Sequence, residues 1–261
     1  MIRALYTAAS GMSAQQQNID NVAHNLANVN TTGFKKSRVE FQDLVYDQTK
    51  VPGASNSATN EAPIGLETGL GVRAVATSRD FGRGNMKATN APLDMAIEGA
   101  GFFQVQMPSG DIGYTRSGTF HLNGDGAIVT NDGYLIEPQI TVPPNATAVS
   151  ISKDGIVSAA IPGSGSQQLG SLELASFQNP AGLSAVGGSI YVSTTASGEP
   201  QVGAPGEDSR GAILQGFTED SNVSVVEEMV NMILGQRAYE ANSKVLKAAD
   251  EMLSQVNTIV R

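Results

Sequence analysis

Residues 21–38 read NVAHNLANVNTTGFKKSR, and this stretch decides how the rest of the chain is to be understood. Apolar residues recur every third or fourth position as far as Leu26, which is helical spacing. Asn30 and Gly33 then supply a stop, since both tolerate the left-handed conformation that ends helices. Asn21, Asn25, Asn28 and Asn30 stand where a solvated helix would carry charge. A buried amide is satisfied by hydrogen bonds, whereas an unpaired buried charge is strongly destabilising. The amides therefore predict a covered helix end, tied either to the next chain or to the adjoining loop. Ordinary helix termination by Asn28 and Asn30 is the alternative.

Toward the N-terminus, Ile2, Leu5, Ala9, Met12, Gln16, Ile19, Ala23 and Leu26 fall in alternating steps of three and four, a heptad seam. The far end mirrors it. Ser224 to Glu227 fits a capping box, and no Pro follows it. Val225, Met229, Met232, Gln236, Tyr239, Leu246, Leu253 and Val260 share one seam. Val226, Val230, Ile233, Val245, Ala249, Met252, Val256 and Ile259 run beside it. The pattern predicts a helix of roughly 35 residues, far beyond the globular norm. Ala238, Ala241, Asn242, Ser243 and Ala248 are small or amide residues that suit close approach by further helices. A plain two-helix pair with a solvated face is the competing reading.

The middle differs. Residues 34–46 alternate in part and predict an extended segment, and 47–72, rich in Gly, Ser, Asn, Thr and Pro, read as a long irregular connection. Strand signals then recur: GVRAVATS, LDMAIEG, GFFQVQM, GYTRSGTFHL, GAIVT, YLIEP, TAVSISKDGIVSAA, LGSLELASF, SIYVSTT and AILQGFT. Turn pairs such as Asn123-Gly124, Asp125-Gly126, Asp132-Gly133 and Asp154-Gly155 separate them. The expected fold class is α+β: long N- and C-terminal helices forming a coiled-coil-like axial core, with an inserted mainly-β outer domain. The expected divisions are 1–33 with 224–261, an extended region 34–72, and an all-β domain 73–223.

Composition agrees. Charged residues are 16% of the 261, below the usual quarter, so much of the surface is expected to be covered. The net charge of −9, with no Lys/Arg-dense run, argues against a nucleic-acid partner. There is no Cys, hence no disulfide or thiolate site. No stretch is long and apolar enough to span a membrane, and the first residues lack the apolar core of a cleaved signal peptide.

Chemistry-bearing motifs are scarce. No phosphate loop, zinc-protease helix or nucleophile elbow occurs. His24 and His121 are too few for a His-based metal cluster. The run from Asn123 to Gly133 suggests a calcium loop but lacks its closing Glu, so hairpin turns explain it better. Glu227 and Glu228 complement a helix N-terminus. Phe102 and Phe103 read as core or subunit contacts. Asp94, Glu98 and Asp111 could furnish a glycosidase pair, though nothing in their spacing selects them.

Three blocks carry a resemblance over nearly the whole chain. NVAHNLANVNTTGFKKSR, PLDMAIEGAGFFQV with YTRSGTF and GAIVTNDGYLI, and SNVSVVEEMVNMILGQRAYEANSKVLKAADEML are similar, in this order, to bacterial flagellar rod and hook proteins. His24 departs from that pattern, which more often has Asn. Length, the 47–72 connection and FFQVQMPSGDIGYTRSGTF point to the distal-rod branch of the family. The resemblance implies an exported structural subunit with no enzymatic activity and no cofactor. It implies helical self-polymerisation into a hollow shaft carrying torque from motor to hook. Implied partners are other copies of the chain, proximal rod proteins and hook protein at its ends, the L/P ring proteins around it, and the flagellar type III export apparatus. A secreted β-rich binding module or adhesin, dimerised by its helices, is the alternative. The expected subunit contacts are Ile2, Leu5, Met12, Ile19, Asn21, Asn25, Leu26 and Asn28 at one end, with Val230, Ile233, Tyr239, Leu246, Leu253 and Val256 at the other.

Overall fold

A computed structural model describes residues 2–52, 55–57, 60–61, 63–163, 165–208 and 210–259, without the side chains of 2, 55–57, 60–61, 256–257 and 259. Two long helices bracket the chain, α1 (Ile2–Ala27) and α2 (Val225–Ile259). Between them lies an almost wholly β segment, so the molecule is α+β. Two compact units emerge: one holds Met1–Ala27, Ser37–Ser78 and Ser224–Arg261, the other Asn28–Lys36 and Arg79–Val223.

In the first unit α1 packs along α2. Ser224 opens α2: its carbonyl accepts the Glu228 N–H at 3.0 Å, and Glu227 and Glu228 occupy the first turn where the helix dipole favours acids. The covered stripe of α1 runs through Leu5, Ala8, Met12, Gln15, Ile19, Val22 and Leu26. This corrects the expected seam, because Ala9, Gln16 and Ala23 face outward. Leu5, Met12, Ile19 and Leu26 fit either path, since three-then-four and four-then-three steps share those positions. The structure takes the path through Ala8 and Val22, which lets the helices come close. A Cβ on Gly11 would lie 2.9 Å from the Asn242 amide, and one on Gly235 would lie 3.0 Å from Ile19.

α2 covers a face of mixed size in this packing. Glu228, Gly235 and Ala249 are buried, and Met232, Asn242, Leu246 and Leu253 are half-buried. Val225, Met229, Gln236 and Tyr239, expected in the seam, are exposed instead. Of the small and amide residues expected to receive further helices, Asn242 meets Gly11 of α1, Ala238 and Ser243 are half-buried, and Ala241 and Ala248 are exposed.

Within 47–72, expected to be irregular, the described residues hold strands, and the flanking extended segments are strands as expected. Ser37–Asp43 pairs with Val72–Arg79, Tyr46–Lys50 with Leu66–Gly69, and Ser55–Ser57 with Asn60–Glu61. The ladder register places Tyr46 opposite Gly69 and Asp47 opposite Thr68. Most side chains on Tyr46–Lys50 and Leu66–Gly69 are exposed, so no buried face imposes the alternation by which a strand is recognised in sequence.

The second unit centres on the strand Phe102–Gln106, one edge of which pairs with Ile112–Thr115. Its other edge is shared end to end by Leu135–Glu137 and Leu174–Ser176. Every segment predicted as strand carries one, while the short strands Met86–Ala88, Ser184–Gly187 and Gln201–Gly203 went unpredicted. Strand alternation sends adjacent phenylalanines to opposite faces. Phe103 stacks edge-on to Phe120 at 5.3 Å, in a core with Met95, Ile97, Ile128, Ile136 and Leu174. Phe102 joins Tyr114, Phe177 and Tyr191 in a second cluster. The expected core role of this pair is therefore met twice over.

The Asn123 side-chain oxygen accepts the N–H groups of Asp125 and Ala127 at 3.0 and 2.8 Å, and Gly126 has φ +78°. The run suggestive of calcium binding is thus a turn held by its own amide. At Gly118 a Cβ would meet the Met95 carbonyl oxygen at 1.5 Å. Gly118→Ala should destabilise this unit by about 3 kcal/mol or more, since backbone must shift. Gly124→Ala meets nothing within 4 Å and should change stability by less than about 0.5 kcal/mol in the same urea titration.

Candidate assembly site

The amides that opened the sequence reading serve the chain's own fold. Asn25 is buried, and it grips the backbone of Ser37 from both sides. Its Nδ2 donates to the Ser37 carbonyl at 2.7 Å and its Oδ1 accepts the Ser37 N–H at 3.0 Å. One turn earlier, Asn21 Nδ2 donates to the same carbonyl at 2.7 Å, and the Ser37 hydroxyl donates to Asn21 Oδ1 at 2.6 Å. Asn25 Nδ2 also lies 3.5 Å from the buried Glu228 carboxylate on α2. Asn28 accepts the Thr31 N–H and hydroxyl at 3.1 and 3.2 Å, inside the turn that Gly33 completes at φ +68°. Asn21 and Asn25 therefore bind the adjoining segment. Asn25→Ala leaves the buried Ser37 N–H without its acceptor, while the Ser37 carbonyl keeps Asn21, an expected cost of about 2 kcal/mol. Asn21→Ala removes less-buried bonds and should cost about 1 kcal/mol. Hydrogen exchange at the Ser37 amide checks both.

The other expected contact residues fall into two sets. Leu5, Met12, Ile19, Leu26, Leu246 and Leu253 are half-buried. Val230, Ile233 and Tyr239 are exposed. Ile2 and Val256 lie outside the described side chains. Val230 and Ile233 belong to a longer stripe on α2, with Val226, Met229, Leu234, Val245 and Met252, in which Val226 is 74% and Leu234 61% accessible, whereas Tyr239 falls on the side of Leu246 and Leu253. An apolar stripe of this length is not left in water by a finished assembly.

A second feature escaped the sequence reading. In the β unit, Lys35 Nζ lies 2.6 Å from Glu219 Oε1, and both side chains are fully buried. Arg116 reaches the other carboxylate oxygen at 3.2 Å, so one anion serves two cations. Backbone groups complete the set. Lys35 donates to the Gly82 carbonyl at 2.7 Å, Arg116 donates to that of Gly99 at 2.6 Å, and the Gly84 N–H donates to Glu219 Oε1 at 2.8 Å. The Arg116 guanidinium also lies 5.5 Å from the centre of the Phe102 ring. Burial pushes the Lys35 ammonium below its ordinary range, and the adjacent Glu219 carboxylate opposes that fall. Lys35 follows Phe34 and precedes Lys36, a pairing that reads as a solvated face. Only the low overall charge content hinted that charges were being used sparingly.

The carboxylates considered for catalysis are engaged locally. Asp94 accepts the Thr89 hydroxyl, Glu98 pairs with Arg83 at 3.7 Å on the surface, and Asp111 accepts the Ser109 hydroxyl at 2.9 Å. His121 is exposed within the strand Phe120–Leu122. Among the described residues no group of three His, Asp or Glu side chains is placed to hold a metal ion, and no helix is long and apolar enough to cross a membrane.

Long paired terminal helices with an exposed apolar stripe, and a β unit inserted between them in the sequence, define a structural subunit built for assembly. Residues 5–35 match the flagella basal body rod protein family. Residues 96–159 match the D1 domain of flagellar hook protein FlgE/F/G, and 214–259 match the C-terminal region of the flagellar basal body rod FlgEFG protein. The flagellar basal-body rod protein FlgG of Buchnera aphidicola subsp. Baizongia pistaciae is 46% identical over 99% of this chain and 100% of its own length. The FlgG of Caulobacter vibrioides is 45% identical over 99% of each chain. The rod protein FlgF of that organism is 33% identical over 98% of this chain and 100% of its own. The chain belongs to the flagellar basal-body rod protein family and is a structural rod subunit of the flagellar basal body. Lys35, Arg116 and Glu219 come one from each of the three matched segments.

Proposed function

We propose that copies of this chain stack helically into the distal rod, the hollow shaft that transmits torque from motor to hook. The observation carrying this reading is the apolar stripe of α2, which stays exposed while another face of that helix is covered. Higher identity to FlgG than to FlgF supports the distal assignment. In the polymer the stripe is buried against neighbouring copies, the helices form a coiled-coil-like axial core, and the β unit faces outward. Contacts that repeat without closing on themselves give an open tube. An obligate contact of this kind buries about 2,000 Å² or more. Val230, Ile233 and Tyr239 are its contact residues in this reading. Partners at the two ends are proximal rod proteins and hook protein. The L/P ring proteins surround the shaft, and the flagellar type III export apparatus delivers the subunits. The role is mechanical and needs no enzymatic activity or cofactor.

The test is electron microscopy of the purified, concentrated chain, with immunogold labelling of basal bodies that carry a tagged copy. Open-ended tubes, with label confined to the rod just below the hook, are the expected result. A closed dimer that never elongates, or label elsewhere, overturns the proposal.

A further inference from the structure

Residues 211–220 lie near the C-terminal end of the β unit's chain, yet their partners are spread along most of it. The Gly211 N–H donates to the Ala100 carbonyl at 2.7 Å, and the Ile213 N–H donates to that of Lys153 at 3.0 Å. The Gln215 side chain accepts the Ile151 N–H at 3.0 Å and donates to the Pro92 and Val149 carbonyls at 2.6 and 2.9 Å. The Gly216 N–H donates to the Asp94 carbonyl and the Asp220 N–H to that of Asn85, both at 2.8 Å. The Glu219 carbonyl accepts the Gly33 N–H at 2.8 Å, and its carboxylate lies between Lys35 and Arg116. Met95–Glu98 pairs with Ala212–Gln215, and Met86–Ala88 with Phe217–Glu219; among the described residues neither has another strand partner. Ile213 belongs to the core of Met95, Ile97 and Phe103.

We propose that 211–220 is a closing latch: the β unit stays unfolded until this segment seats and Glu219 pairs with Lys35 and Arg116. The latch goes beyond the rod reading and holds whatever the chain assembles into. Its cause is electrostatic. Lys35 and Arg116 are buried in the folded unit. Without Glu219, folding would bury both cations without their anion, and an uncompensated buried charge is strongly destabilising. Phe102–Gln106 and Ile112–Thr115 are joined by a short loop and can pair earlier, but a two-stranded hairpin alone is marginal in water. Their core also lacks Ile213 until the latch seats. An apolar set at the three ionic positions would permit early collapse, and the ions forbid it. A chain made from its N-terminus therefore carries no folded β unit, and stays threadable, until its last strands are present.

Native-state hydrogen exchange on the full chain tests the latch without any substitution. The Ile213, Gly216 and Asp220 amides should exchange within about tenfold of the bonded amides of Phe102–Gln106 and Ile128–Thr130, with the same urea dependence. No state then keeps the core while lacking the latch. Latch amides that exchange at least about 100-fold faster, while those core strands stay protected, overturn the proposal. Refolding from urea gives a second test. Ile213→Val is mild enough to fold and should slow refolding about threefold, with the unfolding rate nearly unchanged, because the latch is already seated in the transition state. Glu219→Gln should slow refolding more, by at least about tenfold. Refolding of Ile213→Val at the native rate, with faster unfolding, means the segment docks onto a core already formed; that overturns the latch even where Glu219→Gln fails to fold.

Discussion

Glu219→Ala lowers the stability of the β unit by an expected 3–5 kcal/mol, the range for removing one partner of a buried ion pair. Two cations then remain without their shared anion. The Lys35 side chain is wholly buried and that of Arg116 is 4% accessible, so water cannot take the carboxylate's place. The Gly84 N–H loses its acceptor as well. Glu219→Gln keeps the shape and one acceptor oxygen, so it should fall between Glu219→Ala and the native protein. The triple change Lys35→Met, Glu219→Leu, Arg116→Met should recover most of the loss, because an apolar set removes the desolvation cost that the ions carry. Urea unfolding followed by near-ultraviolet signals from Tyr114 and Tyr191 reads all four proteins. A Glu219→Ala protein within about 1 kcal/mol of native would mean the ion pairs offset little beyond their own desolvation.

The same network sets a pH dependence. The folded chain holds its Lys35 proton less tightly than the unfolded chain, because burial lowers the folded value from 10.5. The unfolded state therefore binds more protons between the folded value and 10.5, and stability from this group rises with pH across that window. Lys35→Met should remove that rising contribution, seen as the difference between the two proteins' pH profiles.

Val230→Asp with Ile233→Asp should abolish polymerisation while leaving the monomer intact. Both positions are about half accessible in the single chain, so a carboxylate there stays solvated before assembly. In the polymer each would be buried without a partner. A penalty of about 3 kcal/mol per contact raises the critical concentration by more than about 100-fold. Sedimentation of the purified chain measures the assembly and urea unfolding of the β unit checks the monomer. Polymers that form at the native concentration would remove the α2 stripe from the assembly surface.

The two helices were legible because periodicity sums over many turns, and even a few ambiguous positions do not hide a pattern of 26 or 35 residues. The β middle was legible through its turns: Asn123-Gly124, Asp132-Gly133 and Asp154-Gly155 sit where strands end because glycine accepts positive φ, as at Gly133 and Gly155. The helix seam was less so. Ala8 and Ala9, or Gln15 and Gln16, differ little in hydrophobicity, and the close approach at Gly11 and Gly235 chose between them. On α2, hydrophobicity pointed to Val225, Met229 and Tyr239, yet the covered face runs through Glu228, Met232, Gly235, Asn242, Leu246 and Ala249. Ser37–Asp43 and Val72–Arg79 fall in segments expected to be extended, but the pairing of Tyr46–Lys50 with Leu66–Gly69 was missed because most of its side chains have no core to face.

The sequence by itself determined the α+β order, the two terminal helices, the turn-punctuated strands and the stop after α1. Each of these follows from neighbours within a few residues, where steric and periodic preferences act. Only the tertiary structure decided that Asn21 and Asn25 clasp Ser37, that Asn222 binds Lys36, Asp80 and Gly82, and that Lys35 is a buried cation. Lys35 and Glu219 are separated by 184 residues, and Arg116 and Glu219 by 103. Whether a charge is buried depends on which distant groups fold around it, and no local pattern carries that information.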